Sequence, residues 1–292
     1  PMLGVGGMQL YRAETPGPVK DNKMTPRIAD TAKHLWYIYL ALTLSCMLAF
    51  YLAGMNWFDA ICHAFSTVAI GGFSTYDASI GHFQSPLINA ICVIFLLLSA
   101  VNFPLHFAAI RGKSVSTYFR DPEFKAFLTI QAALVLICFV VLLETNVYNT
   151  PAEALNHGVF QAVSVSTTAG FSTDGFSVWP LFLPIMLIFS SFIGGCAGST
   201  GGGLKVVRVL LLFLQGRREL NRLIHPRAVY AIKLGRRAVP DRIVEAVWGF
   251  FAAYALVFVV IMLLLLLTGL DNISAFTATA ACLNNLGPGL GE

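Results

Sequence analysis

The chain has 292 residues, 57% of them hydrophobic and 12% charged, with a mean hydropathy of +0.72. Soluble domains carry about 25% charged residues, so this composition excludes a soluble globular protein and, more firmly, a disordered one. An all-α polytopic membrane protein is the class left.

The formal net charge of +4 matters less than where the charges sit. All 19 Lys and Arg fall in three blocks, five in 12–33, four in 111–125 and ten in 205–242. The positive-inside rule places all three in the cytoplasm. Six cysteines show neither paired nor metal-ligand spacing, so no disulfide framework or metal centre is read.

Taken in chain order, residues 1–10 read as the inner end of an exit helix. With no Met at the start, the chain reads as a piece of a longer one. Five apolar runs follow, at 35–55, 87–110, 126–143, 180–204 (apolar to about 214) and 246–268. A hydrocarbon core of ~30 Å needs about 20 helical residues, so these predict five spans. Asn102-Phe-Pro104 predicts a kink in the second. Shorter, more polar segments lie at 57–68, 151–167 and 271–285. If either of the first two crossed fully, successive basic blocks would lie on opposite sides. They are therefore expected to be re-entrant half-helices that dip in from outside.

Each half-helix leads into a similar loop. Gly-Phe-Ser-Thr occurs at 72–75 and again at 170–173, and the third loop reads Asn284-Asn-Leu-Gly-Pro-Gly-Leu-Gly291. The registers differ by 98 residues (72 to 170) and 117 residues (170 to 287). The pattern predicts tandem repeats of one unit, a spanning helix (M1), a re-entrant half-helix with its loop, and a second spanning helix (M2). Residues 1–33 are the end of a first repeat and a cytosolic linker. Residues 34–118 are a second repeat and 119–225 a third. Residues 226–292 are a linker, M1 and pore loop of an incomplete fourth.

A loop at membrane depth must be buried in protein or line an aqueous path. A ring of carbonyls on such a path replaces the hydration shell of an alkali cation. Gly71, Gly72, Gly170, Gly287 and Gly289 let carbonyls turn inward, and Thr67, Thr167 and Thr168 are expected to add hydroxyl oxygens. Asp59, Asp77, Glu144, Glu153, Asp174, Asp271 and Glu292 are all expected on the outer side, where they would concentrate cations. The six histidines read as structural, and Trp36, Trp57, Trp179 and Trp248 as interfacial anchors.

The loops, the topology and the run Phe192-Ile-Gly-Gly-Cys-Ala-Gly-Ser-Thr-Gly-Gly-Gly-Leu-Lys-Val206 together resemble the TrkH family, the membrane subunits of bacterial Trk potassium uptake systems in the Trk/Ktr/HKT superfamily. The resemblance implies M1–pore-loop–M2 repeats around a pseudo-fourfold pore, in a potassium-conducting subunit of the bacterial inner membrane. It implies a homodimer that works with a cytosolic TrkA-type nucleotide-binding subunit and uses neither nucleic acid nor a covalent cofactor. It implies that potassium is held by a filter of Ile70, Gly71 and Gly72, of Thr168, Ala169 and Gly170, and of Asn285, Leu286 and Gly287. The family's first filter segment and last M2 helix have no counterpart in these residues.

The segment 194–203 holds six glycines in ten residues, a composition costing roughly 6 kcal/mol against Ala in a helix. The resemblance implies an intramembrane gating loop made of Gly194, Gly195, Gly198, Ser199, Thr200, Gly201, Gly202, Gly203 and Lys205. The competing reading is a packed helix with Gly194, Gly198 and Gly202 as a GxxxG stripe. The basic linker from Arg217, Arg218 and Arg222 onward is expected to dock a regulatory partner. A sodium-selective relative on the same scaffold is the alternative, and a membrane-embedded enzyme a weaker one, since no paired acids or activated nucleophile lie inside the spans.

Overall fold

The computed structural model describes residues 28–290 apart from 181, 229 and 236. The expected exit-helix end at 1–10, most of the first basic block and Glu292 lie outside the described residues.

The second repeat opens with α1 (Ile28–Leu52), followed by the half-helix α2 (Trp57–Val68). Asn56 starts α2 by accepting the Asp59 amide at 2.9 Å. After the loop come α3 (Pro86–Ala100), α4 (Phe103–Arg111) and the short α5 (Ser116–Arg120). The third repeat runs through α6 (Pro122–Glu144), the half-helix α7 (Pro151–Ser166), α8 (Leu183–Ser191) and α9 (Val206–Ile224). Asp121 and Thr150 cap α6 and α7, each with Pro at the first helical position, where its missing N–H costs nothing. A two-stranded antiparallel hairpin, β1 (Lys233–Leu234) and β2 (Arg237–Ala238), precedes α10 (Asp241–Leu267) and the half-helix α11 (Asn272–Asn284). In each repeat the long helix packs on the half-helix that follows it, α1 on α2, α6 on α7 and α10 on α11.

Among the described residues, three helices are long and apolar enough to cross a membrane, Ala32–Leu52, Pro122–Glu144 and Asp241–Leu267. The expected second span is not one straight rod. Pro86–Ala100 and Phe103–Arg111 meet at 92°. Pro104 has no amide to give the Ala100 carbonyl, and its ring crowds that carbonyl. The expected fourth span is also interrupted, since only nine residues of helix (Leu183–Ser191) precede the glycines.

The two breaks complete each other. Ala100 O accepts from Cys196 N at 2.8 Å, Ser99 O from Thr200 N at 3.3 Å, and Gly198 O from Phe103 N at 3.0 Å. Backbone groups freed by one broken helix are bonded by the other, as a chain without access to water requires.

Candidate ion filter and gating loop

All three half-helices end in the same way. Gly71 N donates to Ser66 O at 2.7 Å, Ala169 N to Ser164 O at 2.8 Å and Leu286 N to Ala281 O at 2.7 Å. The preceding amides close the inner bond, Ile70 N to Thr67 O, Thr168 N to Val165 O and Asn285 N to Cys282 O. This is the Schellman pattern, which needs a left-handed residue just after the helix. Ile70, Thr168 and Asn285 occupy that position with φ of 53°, 70° and 60°. Two of them are β-branched, for which this conformation is strained by about 1–3 kcal/mol. Two residues further on, Gly72, Gly170 and Gly287 return to positive φ, at 69°, 83° and 99°. The 98- and 117-residue registers therefore hold at the level of single backbone angles.

The loops stand edge to edge. A Cβ on Gly72 would overlap the Ala169 carbonyl oxygen, and one on Gly170 the Leu286 carbonyl oxygen. Gly71, Gly72, Ala169, Gly170, Asn285, Leu286 and Gly287 line one cavity of about 610 Å³. Ile70 and Thr168 are buried behind it. The hydroxyls expected on the path are used elsewhere. Thr167 donates to Val163 O at 2.7 Å, Thr168 accepts from the Gly-rich segment, and Thr67 is buried beside Cys92. Gly289 keeps an ordinary negative-φ backbone. Phe73, unremarked in the sequence, is 81% exposed on the cavity wall.

Matching side-chain clamps hold the outgoing strands of the first two loops. His63 Nε2 meets Ser74 Oγ at 2.9 Å, and Gln161 Nε2 donates to Ser172 Oγ at 2.9 Å. Asp59 accepts from Thr75 Oγ1 at 2.6 Å, and His157 Nδ1 meets Thr173 Oγ1 at 2.9 Å. Each pair sits at the 98-residue offset with a different residue type in the half-helix. Asp59 is thus an internal acceptor, 2% exposed and also bonded by Tyr76 and Asn56, rather than a charge of the mouth. Asp77 and Asp174 do line an outer cavity of about 320 Å³, and Asp271 caps α11. Trp179 is buried and donates to Tyr148 Oη at 3.2 Å, so it is no interfacial anchor, whereas Trp36, Trp57 and Trp248 are exposed.

The residues 193–205 are not helical, which rules out the GxxxG stripe. Gly194, Gly198, Gly203 and Lys205 all have positive φ. The segment reaches the inner end of every half-helix. Thr200 Oγ1 donates to Val68 O at 2.8 Å, Gly202 N to Thr168 Oγ1 at 2.7 Å and Gly203 N to Asn284 O at 3.3 Å. A Cβ on Gly202 would overlap Asn284 O, and one on Gly194 would overlap Gly202 O. Val206 N closes on Gly195 O at 3.0 Å, Ser199 Oγ on Cys196 O at 2.5 Å, and the buried Lys205 ammonium on Gly201 O. Glu123, at the start of α6, accepts both Ala197 N at 2.7 Å and Val207 N at 3.2 Å.

The model of the TrkH family, described as a cation transport protein, matches residues 1–292. The chain belongs to the TrkH family. Among TrkH relatives, it is 67% identical to the Trk system potassium uptake protein TrkH of Vibrio parahaemolyticus, over all of this chain and 61% of that protein. It is 64% identical to TrkH and 42% identical to TrkG of Escherichia coli K12, covering 60% of each. The crystal structure of the potassium transporter TrkH from Vibrio parahaemolyticus superposes with a TM-score of 0.89 at 62% identity, over 98% of this chain and 62% of that one. The chain thus spans about three fifths of the length of these TrkH relatives. Like them it is an all-α, multi-pass protein of the bacterial inner membrane.

Proposed function

We propose that this chain carries filter and gate of a potassium uptake transporter, and that it transports rather than catalyses. One observation carries the reading. Three half-helix ends with the same sequence of φ signs converge on one cavity. Each helix C-terminus presents about half a negative charge, so three of them favour a cation there. The nine filter residues bear no ionisable side chain. Discrimination among alkali cations then rests on the number and spacing of backbone carbonyls. Relatives named as potassium uptake proteins support potassium as the ion.

The Gly-rich segment acts as the gate, because it bonds the inner ends of all three filter loops. The protein works as a homodimer with a TrkA-type cytosolic subunit. Arg217 and Arg222 are exposed for such docking, Arg222 beside Glu219 at 2.9 Å, while Arg218 is engaged by Asp241 at 2.6 Å.

The test is flux through the intact transporter in liposomes. Rubidium uptake should be blocked by external potassium and little affected by equal sodium. Equal competition by both ions would overturn the potassium reading in favour of a sodium or mixed cation pathway.

A further inference from the structure

Glu123 is 1% exposed, and one carboxylate oxygen accepts from Ala197 N and Val207 N. Those two amides flank the stretch that touches the filter, residues 200–203. A single acid on α6 therefore brackets that stretch, from Ala197 within the Gly-rich segment to Val207 in the first turn of α9. A carboxylate stays buried where donors converge on it, and hydrogen bonds to a charged acceptor are about twice as strong as neutral ones. Ala197 and Val207 share one core with Leu211 of α9 and with Ile232, Leu234 and Val239 around the hairpin. Gly235, in the hairpin turn, lies against the ring of Pro122, the neighbour of Glu123.

We propose that Glu123 is the positioning residue that holds the Gly-rich segment against the filter, with the β1–β2 hairpin as the cytosolic element packed behind it. Its consequence for conduction rests on the reading of 194–203 as the gate. Losing Glu123 leaves both amides without their acceptor and frees the segment to leave Thr168 and Asn284.

The experiment uses the intact transporter in liposomes, with Cys62 and Cys282 replaced by Ser. It reads rubidium flux and alkylation of the Cys196 thiol, which is 1% exposed in the held segment. In E123A, flux and alkylation rate should each rise at least about tenfold, since one charge-assisted hydrogen bond alone is worth about that much and both are lost. E123Q keeps an acceptor oxygen but loses its charge, so both readouts should rise less than in E123A. Where E123A does not assemble, E123D decides, since it keeps the charge but loses the reach, and both readouts must still rise. Folded E123A or E123D with unchanged Cys196 reactivity overturns the proposal. Faster alkylation with unchanged flux upholds Glu123 as the holder of the segment and removes the gate reading instead.

Discussion

The amide of Gly202 donates to the hydroxyl of Thr168 at 2.7 Å, joining the Gly-rich segment to a filter residue held at φ 70°. The same side chain sits on a strained backbone and accepts the bond, so this atom joins the proposed gate directly to a residue of the proposed filter. Thr168→Val keeps the β-branched shape and removes the acceptor. Leaving the Gly202 amide unsatisfied costs about 1–3 kcal/mol. Resting rubidium flux should rise with the yield of folded protein unchanged.

Glycine substitutions in the filter should differ by position. Gly72→Ala and Gly170→Ala each drive a Cβ into a carbonyl of the neighbouring loop. Both should lower potassium-over-sodium discrimination sharply in competition assays. Gly175→Ala, in a position with open space around it, should leave discrimination at the parent value.

Shortening the gate must spare its structural half. Residues 196, 198 and 200 complete the bent helix of the second repeat, whereas 201–203 reach the filter. Deleting 201–203 should therefore raise flux from well-assembled protein. Deleting 196–200 should abolish assembly, as read by loss of the folded, monodisperse peak on a sizing column.

Sidedness follows from the basic blocks. Asp77 and Lys113 are both exposed, in the outer turn after the first filter loop and in the second basic block. Cysteines placed there should react with an impermeant maleimide from opposite faces of the membrane. Labelling of both from one face would contradict the topology.

Asp59 offers a stability test. It accepts from Thr75, Tyr76 and Asn56 in a buried setting. Asp59→Ala should destabilise the protein by on the order of 2 kcal/mol, read as a lower melting midpoint in detergent.

Half-helix positions are legible in sequence because their signals are local. Asn56, Thr150 and Asp271 are N-caps, and the loop that follows each helix carries its own left-handed residue. The register of the three loops was legible for the same reason, through Gly72, Gly170 and Gly287. Which oxygens face the cavity was not, since Thr167 spends its hydroxyl on its own helix. Pro104 announces a break, but the 92° angle is set by bonds to residues 196–200, far along the chain. Glu123 is hidden most thoroughly. An acid in the first turn of a helix reads as an ordinary complement to the helix dipole, and its partners lie 74 and 84 residues away.

The mutual completion of the two broken helices also constrains how the protein is made. Ser99, Ala100 and Phe103 leave the ribosome well before Cys196, Gly198 and Thr200, which later bond them. Until then the bend at Val101–Asn102 carries unpaired backbone groups that hydrocarbon does not tolerate. The second repeat must therefore wait beside water, translocon or lipid headgroups, and its bend settles at full depth only when the third repeat arrives. The order of synthesis makes the third repeat the template on which the second finishes folding.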